Sequence, residues 1–360
     1  MSDSPNSDSP NSDRHGSDPR SSDGLGSDEH IPGPHRLAVA IATYNGERFI
    51  GQQLESILEQ TRLPDEIVVS DDQSSDDTVA IAEAMLRGPC EAAGITLRII
   101  EHDTPAGAAA NFAHALAHTT AEVVALADQD DWWLPHKLET LAAHFDALPE
   151  LVMVHSDADL VDAEGEKTGL RVLQSLRMTT TERINLVTGR GIRALVRRNL
   201  VTGQTALIRR ELIETAGSIP AGFVHDEWWA LVAASQDGLL LDPRVFQHYR
   251  QHEGNEIGAD KSGLQRLRER FSEPQSAFRA RHRIRHEGLG AYLNSPQWSG
   301  SDEAARLLRG RMSHYDWQAT LPSARLARVA PVLWRYLTGD YHRFRRGLFD
   351  ALRDLVQPGH

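Results

Sequence analysis

The sequence predicts an α/β domain with a mostly parallel sheet, set between a low-complexity N-terminal tail and a helical, basic C-terminal extension. Two observations carry this. Between residues 36 and 145, short apolar runs alternate with helix-period segments, and several runs end directly in a polar or acidic cluster. Composition also changes sharply on both flanks.

The elements follow in order. Leu37–Ala42 is an apolar run that ends in the turn Thr43-Tyr44-Asn45-Gly46, and Phe49, Ile50, Leu54, Ile57 and Leu58 then fall at helical spacing. Glu66–Val69 is the next strand, closing on Ser70-Asp71-Asp72. Asp76 or Asp77 opens a helix that carries Val79, Ile81, Met85 and Leu86. Strand Thr96–Ile100, helix Ala108–Ala117 and strand Glu122–Leu126 complete a β-α-β-α-β-α-β order. Such an order implies parallel strands covered by helices on both faces. Ligands of these sheets sit beyond the carboxyl ends of the strands, so the clusters at 43–45, 71–72 and 128–131 are expected to face one crevice.

The flanks read differently. Ser-Asp recurs every five residues from Ser2-Asp3 to Ser27-Asp28, with almost no apolar residues between. Such a segment buries too little surface to offset its ordering entropy, so residues 1–35 are expected to be disordered, and this outweighs a calcium-binding reading of the pairs. The net charge of -13 is uneven: residues 1–35 carry -5, residues 36–260 carry -17 and residues 261–360 carry +9. An acidic body argues against nucleic acid as a partner. Cys90 is the single cysteine, which excludes an internal disulfide and suits a reducing cytoplasm. The sequence shows neither a signal-peptide layout nor an apolar run near the ~20 residues of a membrane span.

Two nucleotide-binding classes fail on their motifs. The Gly-x-Gly-x-x-Gly turn of dinucleotide enzymes is absent after the first strand, and so is a P-loop. The run Asp128-Gln129-Asp130-Asp131 carries the clearest chemistry. It follows an apolar strand, precedes Trp132-Trp133-Leu134-Pro135, and is expected on a tight turn into a helix. Carboxylates two apart on a turn can converge on a hard divalent cation, Mn²⁺ or Mg²⁺, which would neutralise a diphosphate leaving group. A helix cap needs one aspartate, Asp131, and this cluster has three.

Taken together these motifs resemble glycosyltransferase family 2. The carriers are Val39–Gly46, Ser56–Thr61, Val69–Thr78, the Asp-x-Asp cluster and Pro135-His136-Lys137-Leu138, in that order over residues 36–145. The resemblance implies a GT-A fold with a Rossmann-like mixed sheet over residues 36–260, a nucleotide-binding half at 36–145 and an acceptor half at 146–260. It implies donor contacts from Thr43, Tyr44, Asn45, Glu47, Asp71 and Asp72, with Gly107 and Asn111 along the donor. Asp128 and Asp130 would hold the metal and diphosphate, and the donor would be a dTDP-, UDP- or GDP-linked sugar.

The second half is similar to a rhamnosyltransferase-like branch of that family. The carriers are Asn199–Ala206, Ile219-Pro220, His225-Asp226-Glu227-Trp228-Trp229 and His248–Asn255. In that branch an aspartate just before a tryptophan-bearing helix is the catalytic base, which points to Asp226. A common form has the tryptophans directly after His-Asp, so the intervening Glu227 is a rival base. Both also fit the start of a helix whose tryptophans pack in the core. The resemblance makes His252 a further metal ligand, while a structural histidine is the other reading. The implied reaction is single-displacement, inverting transfer to a hydroxyl of a glycan or lipid-linked acceptor, in cell-surface polysaccharide synthesis.

Residues 261–360 show helical spacing at Leu326, Val329, Leu333 and Leu337, then at Tyr341, Phe344, Leu348, Leu352 and Leu355, with Pro331 interrupting the first pattern. Arg335, Arg343, Arg345 and Arg346 lie among them. Two readings stand: a basic amphipathic surface on the inner face of the plasma membrane, or apolar faces packed on the catalytic domain or a second subunit. Two further function classes share parts of this pattern. A sugar-nucleotide pyrophosphorylase would need a glycine-rich triphosphate loop that Thr43–Arg48 does not supply; a catalytically silent nucleotide-sugar binder would differ only in turnover.

Overall fold

A computed structural model of the chain describes residues 35–252 and 275–357. The expected disorder of the N-terminal tail, and the Glu253-Gly254-Asn255 end of the late histidine motif, lie outside the described residues.

The first half alternates as expected: β1 (Leu37–Thr43), α1 (Ile50–Leu58), β2 (Glu66–Asp71), α2 (Thr78–Ala93), β3 (Thr96–Glu101), α3 (Ala108–Ala117) and β4 (Val123–Asp128). A two-residue strand β5 (Trp132–Trp133) precedes α4 (Lys137–Ala147). Then come β6 (Met153–Val161), β7 (Lys167–Arg171), α5 (Val172–Ser175), α6 (Thr180–Val187) and α7 (Ile192–Leu195). A 3₁₀ turn at Gly203–Thr205 leads into β8 (Ala206–Arg209), α8 (Arg210–Ala216), α9 (His225–Ser235) and β9 (Leu239–Arg250). The remaining described helices are α10 (Gln275–Leu293), α11 (Asp302–Ala319), α12 (Arg325–Leu337), α13 (Asp340–Phe344) and α14 (Leu348–Val356).

The sheet runs β3-β2-β1-β4-β8-β6-β9-β5, with β7 beside β6. Strands β3, β2, β1 and β4 are parallel. Beyond them β8 is antiparallel to both β4 and β6, β6 and β9 are parallel, and β5 and β7 run antiparallel to β9 and β6 respectively. The expectation of a mostly parallel sheet therefore holds for the first half alone, and the sheet as a whole is mixed. Alternation along the strands sorts residues onto its two faces. Leu37, Val39 and Ile41 share a core with Leu54 and Ile57 of α1 and Leu138 of α4, whereas Ala38 and Ala40 share the other with Phe112 of α3 and Trp229 of α9.

The C-terminal helices do not stand apart from this core. Leu289, Tyr292 and Leu293 of α10, Ala304 and Leu308 of α11 and Phe344 of α13 belong to the same buried cluster as Trp228 and Trp229. Tyr292 meets the Trp228 ring edge-on at 5.0 Å. Leu321, Val332, Tyr341 and Ala351 form a smaller cluster of their own.

Candidate active site

The parallel register brings the polar clusters to one end of the sheet. Thr43 stands opposite Asp71, and Ala42 opposite Asp128. The turn after β1 is held from both sides. Tyr44 N–H donates to Gln129 Oε1 at 2.9 Å, and Gln129 Nε2 returns a bond to the Tyr44 carbonyl at 2.9 Å. Gly46 is required beside this clamp, because a Cβ there would lie 2.1 Å from Gln129 Oε1. Asn45 adopts φ 46°, a left-handed conformation that asparagine tolerates, and its Oδ1 accepts from Ser75 N–H at 2.8 Å. Glu47 accepts from Asp77 N–H at 3.1 Å.

Asp71 is fully buried beneath this turn, where it accepts from the Thr43 hydroxyl at 2.7 Å and from Ser74 N–H at 2.7 Å. Asp72 accepts from the N–H groups of Ala106 and Gly107 at 2.7 and 2.8 Å, so it holds the loop that enters α3. Asn111, buried on α3, donates to the Thr43 carbonyl at 3.0 Å. The structure thus ties Thr43, Asp71, Asp72, Gly107 and Asn111 into one connected framework.

The acidic turn is followed by a short strand instead of entering a helix directly. β5 pairs with β9, Trp132 opposite His248 and Trp133 opposite Gln247, because β9 offers an open edge there. This pairing gives the aspartates separate surroundings. Asp131 is no helix cap: buried, it accepts from Gln247 Nε2 and Arg250 N–H, both at 3.0 Å. Burial, with the charges of Asp130 and Asp128 added, pushes its carboxyl well above the usual range. Asp130 Oδ2 lies 2.8 Å from His252 Nε2, so strand β9 delivers the late histidine to the acidic turn. Arg250 braces the arrangement: its Nε donates to the Asp130 carbonyl at 2.9 Å, and its guanidinium lies over Phe49 and Trp132. Lys137 is fully buried against the Trp133 ring and donates to the Gln204 carbonyl at 2.7 Å; burial pulls its ammonium well below the ordinary lysine value, against the nearby Asp131 and Asp128 charges. Among the described residues no three His, Cys, Asp or Glu side chains already converge as a cation cage.

Helix α9 starts at the motif His225-Asp226-Glu227. The two acids meet different neighbours. Asp226 is pushed up to about 7 by burial; the N–H groups of Glu227 and Gly203 oppose this and the Glu227 charge adds to it. Gly203 lies close, since a Cβ there would be 3.4 Å from Asp226 Cβ and 3.0 Å from His225 Nε2. His225 packs against Phe112 and Trp229, and burial lowers it to about 4, so it is neutral near pH 7. Glu227 is ion-paired with Arg285 of α10, whose guanidinium also lies over Phe223 and donates to the Gly222 carbonyl. Sequence reasoning named Gln129 and Lys137 only as members of motifs, with no role of their own, and did not single out Arg285. Gln129 sits inside the acidic run, but nothing in the pattern links it to Tyr44, and Arg285 comes from a distant helix.

The mixed sheet, with its polar clusters gathered at the strand ends, is a GT-A fold. Residues 38–215 match the family model for glycosyl transferase family 2, and through this domain the chain belongs to that family. The uncharacterized protein Rv1520 of Mycobacterium tuberculosis is 26% identical over 220 residues, covering 60% of this chain and 59% of that protein. The chain thus spans less than two thirds of that relative. The dTDP-rhamnosyl transferase RfbG of Shigella flexneri is 25% identical over 236 residues, covering 62% of this chain and 75% of RfbG. In structure the chain is similar to residues 1–349 of S. aureus TarS in complex with UDP-GlcNAc, with a TM-score of 0.57 at 17% identity over 89% of this chain and 90% of that one; this likeness is one of fold.

Proposed function

We propose that this protein is an inverting, divalent-metal-dependent glycosyltransferase whose general base is Asp226. The observation that carries the reading is the unequal treatment of two adjacent acids. Asp226 sits at a helix start with its carboxyl raised to about 7, the range in which a general base is most effective at neutral pH. Glu227 is held by Arg285, which pairs with its Oε1. Asp226 would take the proton from an acceptor hydroxyl as that oxygen attacks the anomeric carbon, and the nucleoside diphosphate would leave from the opposite side. A single displacement of this kind needs no nucleophilic side chain.

Tyr44, Asn45 and Glu47 would line the donor, with Asp72, Gly107 and Asn111 shaping its wall. Asp71 supports this surface from below, since its oxygens are already committed to Thr43 and Ser74. Asp128, Asp130 and His252 would hold Mn²⁺ or Mg²⁺. Two carboxylates with one imidazole suit such an ion, and the 2.8 Å contact between Asp130 and His252 already sets two donors side by side. When bound, the ion would offset the charge on the departing diphosphate. The similarity to RfbG favours dTDP-rhamnose as donor, with UDP- and GDP-sugars next, and a glycan or lipid-linked hydroxyl as acceptor.

A donor panel tests this reading. Purified protein is melted with dTDP-rhamnose, UDP-glucose, UDP-GlcNAc and GDP-mannose, with and without Mn²⁺, and each donor is then assayed for hydrolysis. One donor should raise the melting temperature in a metal-dependent way and release its nucleotide. A flat response across the panel would count against the proposal.

A further inference from the structure

We propose that α12 and α14 together form a docking face for an anionic lipid surface, a role separate from sugar transfer. Leu326, Leu333, Trp334 and Leu337 of α12 are exposed, as are Leu348 and Leu352 of α14. Leu326 is 89% exposed and Leu337 is 72% exposed, so among the described residues little covers these two side chains. The interior beneath them sets buried charge around the small apolar cluster of Leu321, Val332, Tyr341 and Ala351. Arg328 is fully buried and donates to the carbonyls of Pro322, Ser323, Asp354 and Gln357. Arg353 bridges Asp350 and Asp354, and all three are buried. A helix pair meant for water places its charges outward and its leucines inward. This pair buries Arg328, Asp350, Arg353 and Asp354 and leaves most of its leucines outside.

Charge identifies the occupant. Residues 321–357 contain three acids, and none is exposed: Asp350 and Asp354 are buried, and Asp340 is ion-paired with Arg335. Arg325, Arg343 and Arg346 are exposed on the same segment. Its outer surface therefore offers leucines, a tryptophan and positive charge. That combination suits acyl chains beneath anionic head groups, with Trp334 at the boundary. A second copy of this chain fits less well, because a two-fold contact would set the same arginines against each other. The contact would be in-plane, since no described helix is long and apolar enough to cross a membrane.

The test is flotation of the full chain with vesicles of equimolar phosphatidylcholine and phosphatidylglycerol, or of phosphatidylcholine alone. Wild type should float with the anionic vesicles and lose about tenfold in affinity as salt rises from ~0.05 to ~0.5 M. Arg325→Glu with Arg343→Glu should remove the preference for anionic lipid. Leu333→Glu with Leu337→Glu should abolish flotation. Leu326→Gln, at the most exposed site, provides a second variant that should weaken flotation without any effect on melting. Wild type left in the aqueous fraction with both vesicles would overturn the proposal, as would flotation indifferent to lipid charge. A wild-type dimer that Leu333→Glu with Leu337→Glu converts to monomer, without vesicle binding, would assign the face to a second copy instead.

Discussion

Asp226 and Glu227 are neighbours of nearly the same chemistry, and their surroundings separate them. Burial raises one and an arginine neutralises the other. Asp226→Asn keeps size and most hydrogen bonding but removes the proton acceptor. Transfer should fall ~10²–10⁴-fold with donor affinity little changed. Glu227→Gln should stay within roughly tenfold of wild type, its main effect being a lower melting temperature from the uncompensated Arg285. The two are compared at one donor and acceptor, and a dead Glu227→Gln beside a nearly normal Asp226→Asn would reassign the base. The raised carboxyl also fixes a sign for pH. The base is active when ionised, so kcat/KM should rise with pH through about 7 and level off above it. Stability runs the other way: a folded-state value above the ordinary carboxyl range favours the fold at low pH and loses that advantage as pH rises through about 7. At the acidic turn, Asp130→Ala removes one carboxylate and the partner of His252. Metal-stimulated turnover should drop by ~10²-fold or more with the melting temperature nearly kept. Undiminished activity of the wild type in excess EDTA would refute the metal role.

At the level of elements, two kinds of pattern behaved differently. Strands β1, β2 and β4 were legible because each is buried on both faces, so a short apolar run is the main signal, while the edge strand β3 is only half-buried. Helix α3 was legible to the residue. β5 was not, because two tryptophans carry no period and their pairing depends on a strand more than a hundred residues later. The C-terminal apolar spacing falls on helices, the run from Tyr341 to Leu355 being split between α13 and α14, and periodicity cannot say which face turns inward. Arg328 shows why the unexpected face won: its guanidinium reaches four carbonyls at once and ties α12 to the end of α14. Arg328→Ala would leave those carbonyls without their donor, at a cost of about 3 kcal/mol or more. Hydrogen exchange should then rise across 321–357 while β1–β4 stay protected. Unchanged protection of α12 and α14 would show that the arginine is not what holds them.

At the level of the whole molecule, the C-terminal third completes the core. Tyr292, Leu308 and Phe344 close over the tryptophans of α9, and Arg285 holds Glu227 beside the expected base. A chain ending before residue 275 would expose that apolar surface, so it should be poorly soluble or melt well below the full chain. A truncated protein with an equal melting temperature would show that the helices are an independent appendage. The sequence by itself determined the α/β order, the strand-end position of the polar clusters and the family, because these rest on local periodicity and short motifs. The tertiary structure alone decided which acid is paired and which is raised, that His252 reaches Asp130, and that the last helices turn arginine inward and leucine outward. Each of these depends on residues far apart in the chain meeting in space, where desolvation and charge act through distance and not through sequence order.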